Sequence, residues 1–171
     1  MPNAAFTVRS ARTSDVRGLQ ELIEPYVRRR ILLGKELVLL FEAVQEFVVV
    51  EHEGKLLGCG ALHVMWEDLG EIRTVAVSED ALGTGAGHAI LAELEERAKR
   101  LGLQKLFCLT FETEFFERHG FKAVGEEIVN PDVFQQLLRS TDGGIQEFLD
   151  LAHVKPNTLG NTRMLKLLSS D

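Results

Sequence analysis

An apolar run, a short polar linker, three glycines at alternate positions and an amphipathic pattern succeed one another between residues 72 and 101. No other stretch limits the possible folds so strongly. Residues 72–77, Ile-Arg-Thr-Val-Ala-Val, predict a strand, and residues 78–82 a linker. Ile90, Leu91, Leu94, Ala98 and Leu101 then recur on one helical face, and Gly102 stands where helices commonly stop. Gly83, Gly85 and Gly87 carry no side chains, so main-chain N–H groups can approach a ligand closely. The helix that follows adds unpaired N–H donors and the positive end of its dipole. Such a junction suits an anion, above all a phosphate. A Walker loop would need Gly-Lys-Ser/Thr after the glycines, where this chain has Gly87-His88-Ala89. A dinucleotide fingerprint would need a glycine where His88 stands. A tight turn that holds no ligand is the plain alternative.

The pattern on either side supplies the rest of the fold. Residues 6–9 read as an opening strand. Ser14 or Asp15 is placed to cap a helix with Val16, Leu19, Leu22 and Ile23 on one face, and Pro25 is expected to break or kink it. Leu37, Leu40, Phe41 and Val44 predict a second helix. Residues 47–50 and 56–62 read as strands around the hairpin signal Glu53-Gly54, followed by the strand that starts at Glu71. Beyond the glycine-led helix, residues 106–110 form a strand, a short helix over 115–119 stops at Gly120, and Phe121 begins an extended piece. Asn130-Pro131-Asp132 reads as an N-cap with proline at the first helical position, opening a helix through Leu138. Residues 163–168 are apolar enough for a last strand. The expected order is β-α-α-β-β-β-α-β-α-β, then a helix and a strand. Hairpin pairing in the first half and a helical crossover in the second predict an α/β fold. Its sheet is central, mixed and mostly antiparallel, flanked by helices.

Length and composition narrow the function. A chain of 171 residues with no repeat or low-complexity segment suits one domain over residues 1–171. With 26 acidic against 19 basic side chains the net charge is −7, which argues against a general nucleic-acid surface. The run Arg28-Arg29-Arg30 is then an anion-binding or solvated face. No stretch is apolar for long enough to predict a membrane span, and residues 1–12 show no signal-peptide pattern. Cys59 and Cys108 lie in apolar runs and read as buried, reduced thiols of a cytoplasmic protein. None of the five histidines forms a metal-ligand cluster, so no metal is expected.

The segment Leu82-Gly83-Thr84-Gly85-Ala86-Gly87 resembles, in register, the Arg/Gln-x-x-Gly-x-Gly/Ala turn that binds acetyl-CoA in GNAT acetyltransferases, with Leu82 at the usual Arg/Gln position. About 30 residues on, Phe115-Phe116-Glu117-Arg118-His119-Gly120-Phe121 resembles the late aromatic element of that superfamily. A closer likeness covers most of the chain. Ile31-Leu32-Leu33, Val44-Gln45-Glu46-Phe47, residues 70–77, residues 106–110 and the tail 149–165 resemble N-acetylglutamate synthases. Among these the chain looks most like the short actinobacterial type, a lone acetyltransferase domain.

That resemblance implies an amino-acid N-acetyltransferase. It would move an acetyl group from acetyl-CoA to the α-amino group of L-glutamate or L-glutamine, the first step of arginine biosynthesis. It implies acetyl-CoA along Val75, Ala76 and Val77, over Leu82, Gly83, Thr84, Gly85, Ala86, Gly87 and His88, and against Phe116. Glu71 matches the proposed general base, which the chemistry needs because an α-ammonium must lose a proton before it attacks a thioester. Leu33, Lys35, Arg73, Lys155 and Arg163 become candidates for holding the substrate, the cations among them for its carboxylates. Residues 126–171 would be an extension completing the substrate side. Phe116 stands where many relatives have a tyrosine acid, and the single tyrosine is Tyr26, so this element supplies no hydroxyl acid. The partner implied is a small amino acid rather than a nucleic acid or a membrane, and a homodimer is compatible. An acetyltransferase for another small amine or a protein N-terminus, or a non-catalytic acetyl-CoA-binding module, are the other readings of the same motifs.

Overall fold

The computed structural model describes residues 6–32, 36–125, 130–140, 142, 145 and 162–168. The elements are β1 (Thr7–Ser10), α1 (Val16–Arg28), α2 (Leu37–Glu42), β2 (Phe47–His52), β3 (Lys55–Val64) and β4 (Leu69–Val77), followed by α3 (Ala86–Leu101), β5 (Lys105–Thr110), α4 (Thr113–Arg118), β6 (Lys122–Ala123), α5 (Pro131–Leu137) and β7 (Thr162–Leu167). The order matches the one the periodicity predicts. The strands lie in the order β1-β2-β3-β4-β5-β7-β6. Of the described ladders, β4–β5 is parallel and β1–β2, β2–β3, β5–β7 and β6–β7 are antiparallel, so the sheet is mixed and mostly antiparallel. No helix among the described residues is long and apolar enough to cross a membrane.

By packing the chain divides into two compact units. The first comprises Met1–His63 and Ile72–Leu101, the second Val64–Glu71 and Gly102–Asp171. In the first unit β2 and β3 turn at Glu53 and Gly54, whose φ angles of 50° and 78° are the pair of positive values a two-residue hairpin turn requires. Side chains on these strands then alternate between two faces. Phe47, Val49, Cys59 and Ala61 face one way and bury against Val16, Leu19 and Ile23 of α1 and Leu40 of α2. On the other face Gly58 and Gly60 lie against Ile90 and Leu94, which brings α3 close to the strand backbone.

In the second unit Met65, Leu69, Phe107, Val133, Leu137 and Ile145 form a separate core, with Leu109, Phe134 and Leu165 packed on it. The side chain of Asn130 accepts from Val133 N at 3.0 Å, so α5 starts with the expected asparagine cap and proline at its first turn. Gly120, at φ 89°, ends the short α4. Phe116 packs edge-on against Phe121, ring centroids 5.2 Å apart, which closes the turn between α4 and β6.

The structure departs from the sequence reading in a few places. Pro25 lies inside α1, which runs on to Arg28. The cost of the missing N–H, about 3 kcal/mol, is offset because the residues beyond it, Tyr26 and Val27, pack on the first core. Asp15 precedes α1 without capping it through its side chain. Its carboxylate instead accepts two bonds from Arg9, at 2.7 and 2.9 Å, and one from Arg12 N at 2.7 Å. Val44 belongs to a separate 3-10 turn, and Phe41 and Leu101 are exposed although both fit their helical stripes.

Candidate active site

The first unit builds the anion turn. Gly83 and Gly85 have φ of 79° and 88°, a region where a side chain is disfavoured, and a β-carbon at either would meet no protein atom within 4 Å. The glycines are therefore required by backbone conformation, and the space over them is open. Two amides of the turn are used internally: Thr84 N donates to Ala81 O at 3.2 Å, and Ala86 N to Thr84 Oγ1 at 3.4 Å. Thr84 Oγ1 itself donates to Ala81 O at 2.6 Å, which ties the turn to the residues before it. Gly85 lies between these engaged amides and Gly83 and Gly87 flank them, at the start of α3, a helix of 16 residues with the positive end of its dipole here. Ala86 is buried, His88 is exposed and Leu82 is 64% exposed, so Leu82 anchors nothing in the core.

Two supports hold β4 as it enters this turn. Thr74 adopts φ 56°, which a β-branched residue rarely takes and which costs on the order of 1–3 kcal/mol. The fully buried Cys59 thiol donates to its carbonyl at 3.5 Å, and burial pushes that thiol's pKa up to about 12. At the strand end the Tyr26 hydroxyl donates to Val77 O at 2.6 Å and accepts from Val77 N at 3.4 Å. Val75 and Val77 are half-buried and Ala76 is buried in the first core. Arg73, also half-buried, precedes the Thr74 kink.

The second unit brings together two buried charged residues. Glu71 is 4% exposed and stands opposite Phe107 in the parallel ladder. Arg163 is 7% exposed and stands opposite Leu109 on β7, two residues beyond the Phe107–Leu165 pair. Facing residues in a ladder share a face and alternate residues return to it, so Glu71, Phe107, Leu109, Leu165 and Arg163 all project to the α5 side. Strand spacing and rise put the Glu71 and Arg163 Cα atoms about 12 Å apart. Among the described residues, Arg163 Nη1 is buried with no hydrogen-bond partner. A buried guanidinium nitrogen left so carries an unmet desolvation cost, about 1–3 kcal/mol or more for a charged group, unless an acceptor reaches it. Burial, and then the Glu71 carboxylate, raise the Cys108 thiol well above its usual pKa. Phe116, 5% exposed, is part of the aromatic cluster of this unit. Leu33, Lys35 and Lys155 lie outside the described residues.

Of the sequence candidates, then, the turn residues and the end of β4 meet in one unit, and Glu71, Arg163 and Phe116 belong to the other. The roles of Tyr26 and Cys59 escaped the sequence reading. Their partners are 51 and 15 residues away, and no local motif marks either contact. Among the described residues no group of three or more His, Cys, Asp or Glu could hold a metal ion.

The open glycine turn between β4 and α3 is built for an anionic, phosphate-bearing ligand. Residues 16–121 match the acetyltransferase (GNAT) family, and the chain belongs to that family. It is 57% identical to an amino-acid acetyltransferase of Mycobacterium tuberculosis over 164 residues, 94% of each chain. A Mycobacterium tuberculosis crystal structure in complex with CoA and NLQ superposes with a TM-score of 0.90 at 56% identity, covering 95% of this chain and 99% of that one. N-acetylglutamate synthase from Neisseria gonorrhoeae, complexed with coenzyme A and N-acetyl-glutamate, matches with a TM-score of 0.79 at 27% identity. There the match covers 97% of this chain but 36% of the longer one.

Proposed function

We propose that the chain is an amino-acid N-acetyltransferase that uses acetyl-CoA to acetylate the α-amino group of L-glutamate or L-glutamine, the first step toward arginine. The observation that carries the reading is the open glycine turn at the start of α3, whose positive-φ residues suit a pyrophosphate. The relatives that bind CoA support acetyl-CoA as the co-substrate. When bound, it supplies the thioester carbonyl that the amine attacks. Gly83, Gly85 and Gly87 would hold the pyrophosphate through main-chain N–H groups, flanked by Leu82, Thr84, Ala86 and His88. Val75, Ala76, Val77 and Phe116 would line the rest of the cofactor.

Glu71 takes the proton from the substrate ammonium, and its burial strengthens any charge interaction it makes. Arg163 holds a substrate carboxylate through its unpaired Nη1, and a fork of donors suits that task. Arg73, Leu33, Lys35 and Lys155 are assigned to the same substrate. In this reading residues 1–171 act as one acetyltransferase domain, in which 126–171 complete the substrate side through β7. The setting proposed is the cytoplasm, with a homodimer compatible and neither nucleic acid nor membrane as a partner.

The test is thiol release from acetyl-CoA in the presence of each common amino acid in turn. Release with glutamate or glutamine is the expected result. Release only with other amines or peptide N-termini would overturn the substrate, and CoA binding without any release would make the chain a binding module.

A further inference from the structure

We infer that Tyr26 is a positioning residue for acetyl-CoA: its hydroxyl fixes the end of β4, and its carbonyl fixes Ile31 and Leu32, the residues that precede the substrate candidates Leu33 and Lys35 in sequence. The inference rests on the acetyl-CoA reading above and extends it to a residue no motif marks.

The geometry starts from the strand. Ser78 N donates to Leu57 O of β3 at 2.8 Å, so the main-chain groups of Val77, one residue earlier, point to the opposite side. Pairing between β4 and β5 ends at Glu71, six residues before the strand does. A strand end without a neighbour leaves its N–H and C=O unsatisfied and its path loose. Tyr26 supplies the neighbour from α1. Its hydroxyl donates to Val77 O and accepts from Val77 N, the two bonds a paired strand would give. Five residues further on lies Leu82, and then the glycine turn. A shift at Val77 is therefore passed along a short linker to the anion-binding amides.

The same residue acts at a second place. The Tyr26 carbonyl accepts from Ile31 N at 2.9 Å and Leu32 N at 3.3 Å, while Arg30 turns the chain with φ 60°. Leu33 and Lys35 follow directly in sequence. One residue thus ties the strand that leads to the cofactor turn and the segment that leads to two substrate candidates. Because the hydroxyl proton is committed to Val77 O, Tyr26 is not the missing general acid.

The experiment compares the full chain with Tyr26→Phe, which keeps the ring packed on the first core and removes only the hydroxyl. Titration with coenzyme A by calorimetry and steady-state kinetics are the readouts. A hydroxyl bond of ordinary net worth predicts a 3- to 10-fold weaker CoA affinity and an equal rise in the acetyl-CoA KM, roughly. The kcat should stay within about twofold, because the base is untouched. Unchanged CoA affinity in Tyr26→Phe overturns the inference. Absence of CoA binding by the wild-type chain overturns the cofactor reading instead, so the two failures are distinct. If Tyr26→Phe is destabilised, amide hydrogen exchange decides: protection lost only around residues 77–82 supports the role, and protection lost throughout the first unit overturns it.

Discussion

Gly60 and Ile90 are in closer contact than any side chain at position 60 would permit: a β-carbon there would lie 2.7 Å from Ile90 Cγ2 and 3.0 Å from a Leu94 methyl. The missing side chain sets the seat of α3 on β3, and α3 carries the anion turn at its start. Gly60→Ala is therefore expected to destabilise the protein by about 1–3 kcal/mol through overpacking. It should also raise the acetyl-CoA KM more than the amino-acid KM. Denaturant unfolding and initial-rate kinetics check the two effects, and an equal change in both KM values would refute the link to the turn.

Glu71→Gln keeps the volume of the buried side chain and removes its basicity. The expected loss in kcat is about 10²–10⁴-fold, with CoA affinity within about twofold of wild type. Single-turnover kinetics separate this from a binding defect. Unaltered turnover would remove Glu71 from the mechanism.

Arg163→Met should have opposite effects on stability and on substrate. With Nη1 buried and without a partner among the described residues, an apolar side chain of similar length should cost little or stabilise by up to a few kcal/mol. The same change should raise the glutamate or glutamine KM about 10- to 100-fold, the worth of a charge-assisted bond. Thermal unfolding and kinetics on one preparation test both directions. A loss of stability with an unchanged KM would make Arg163 structural.

Acid should loosen the first unit through Asp15. The Arg9 guanidinium holds this carboxyl below the ordinary carboxylate range, and burial opposes the shift without cancelling it. A depressed folded pKa stabilises above the unfolded value near 4 and ceases to do so as pH falls through the folded value. Stability should then fall with acid below about pH 4, and Asp15→Asn should flatten that part of the curve. At pH 7 the same variant should lose about 1.5–3 kcal/mol, the range for a bond to a charged group. Urea titrations from pH 2.5 to 7 measure it.

Both thiols should be silent in the folded protein. With Cys59 pushed up to about 12, its thiolate at pH 8 amounts to about one molecule in ten thousand. Cys108 is raised as well, by burial first and the Glu71 charge second. An aromatic disulfide reagent should therefore release no colour from native protein, and two equivalents after unfolding, one per cysteine. Rapid native labelling of either residue would contradict the burial described.

Much of this was legible because it is local. Glycine at 83 and 85 announces positive φ, and Asn130-Pro131 announces a capped helix. The hairpin signal Glu53-Gly54 between residues 47–50 and 56–62 announces paired strands. Contacts across long sequence separations were not legible. Nothing near Tyr26 points to Val77, and nothing near Arg9 tells that it will bridge Asp15 and Glu51. A break at Pro25 does not occur, because its local penalty is outweighed by packing further along α1. Thr74 was hidden for the converse reason: a β-branched residue predicts regular strand, yet here it takes a conformation suited to glycine. Arg163 read as one of several cations, and only the register with Leu109 shows it to be buried.

The placement of β7 between β5 and β6 has a consequence for how the molecule comes into being on the ribosome. The strand neighbour of β6, and one of the two neighbours of β5, are encoded last among the described strands. Until Leu167 has emerged, β6 has nothing to pair with and β5 keeps an open edge that invites association with other nascent chains. The elements of the first unit are all synthesised by Leu101, so it can begin to condense while the second waits. Arg163 arrives with that final strand, so in the proposed reaction the substrate's carboxylate has its anchor only once the sheet of the second unit is whole.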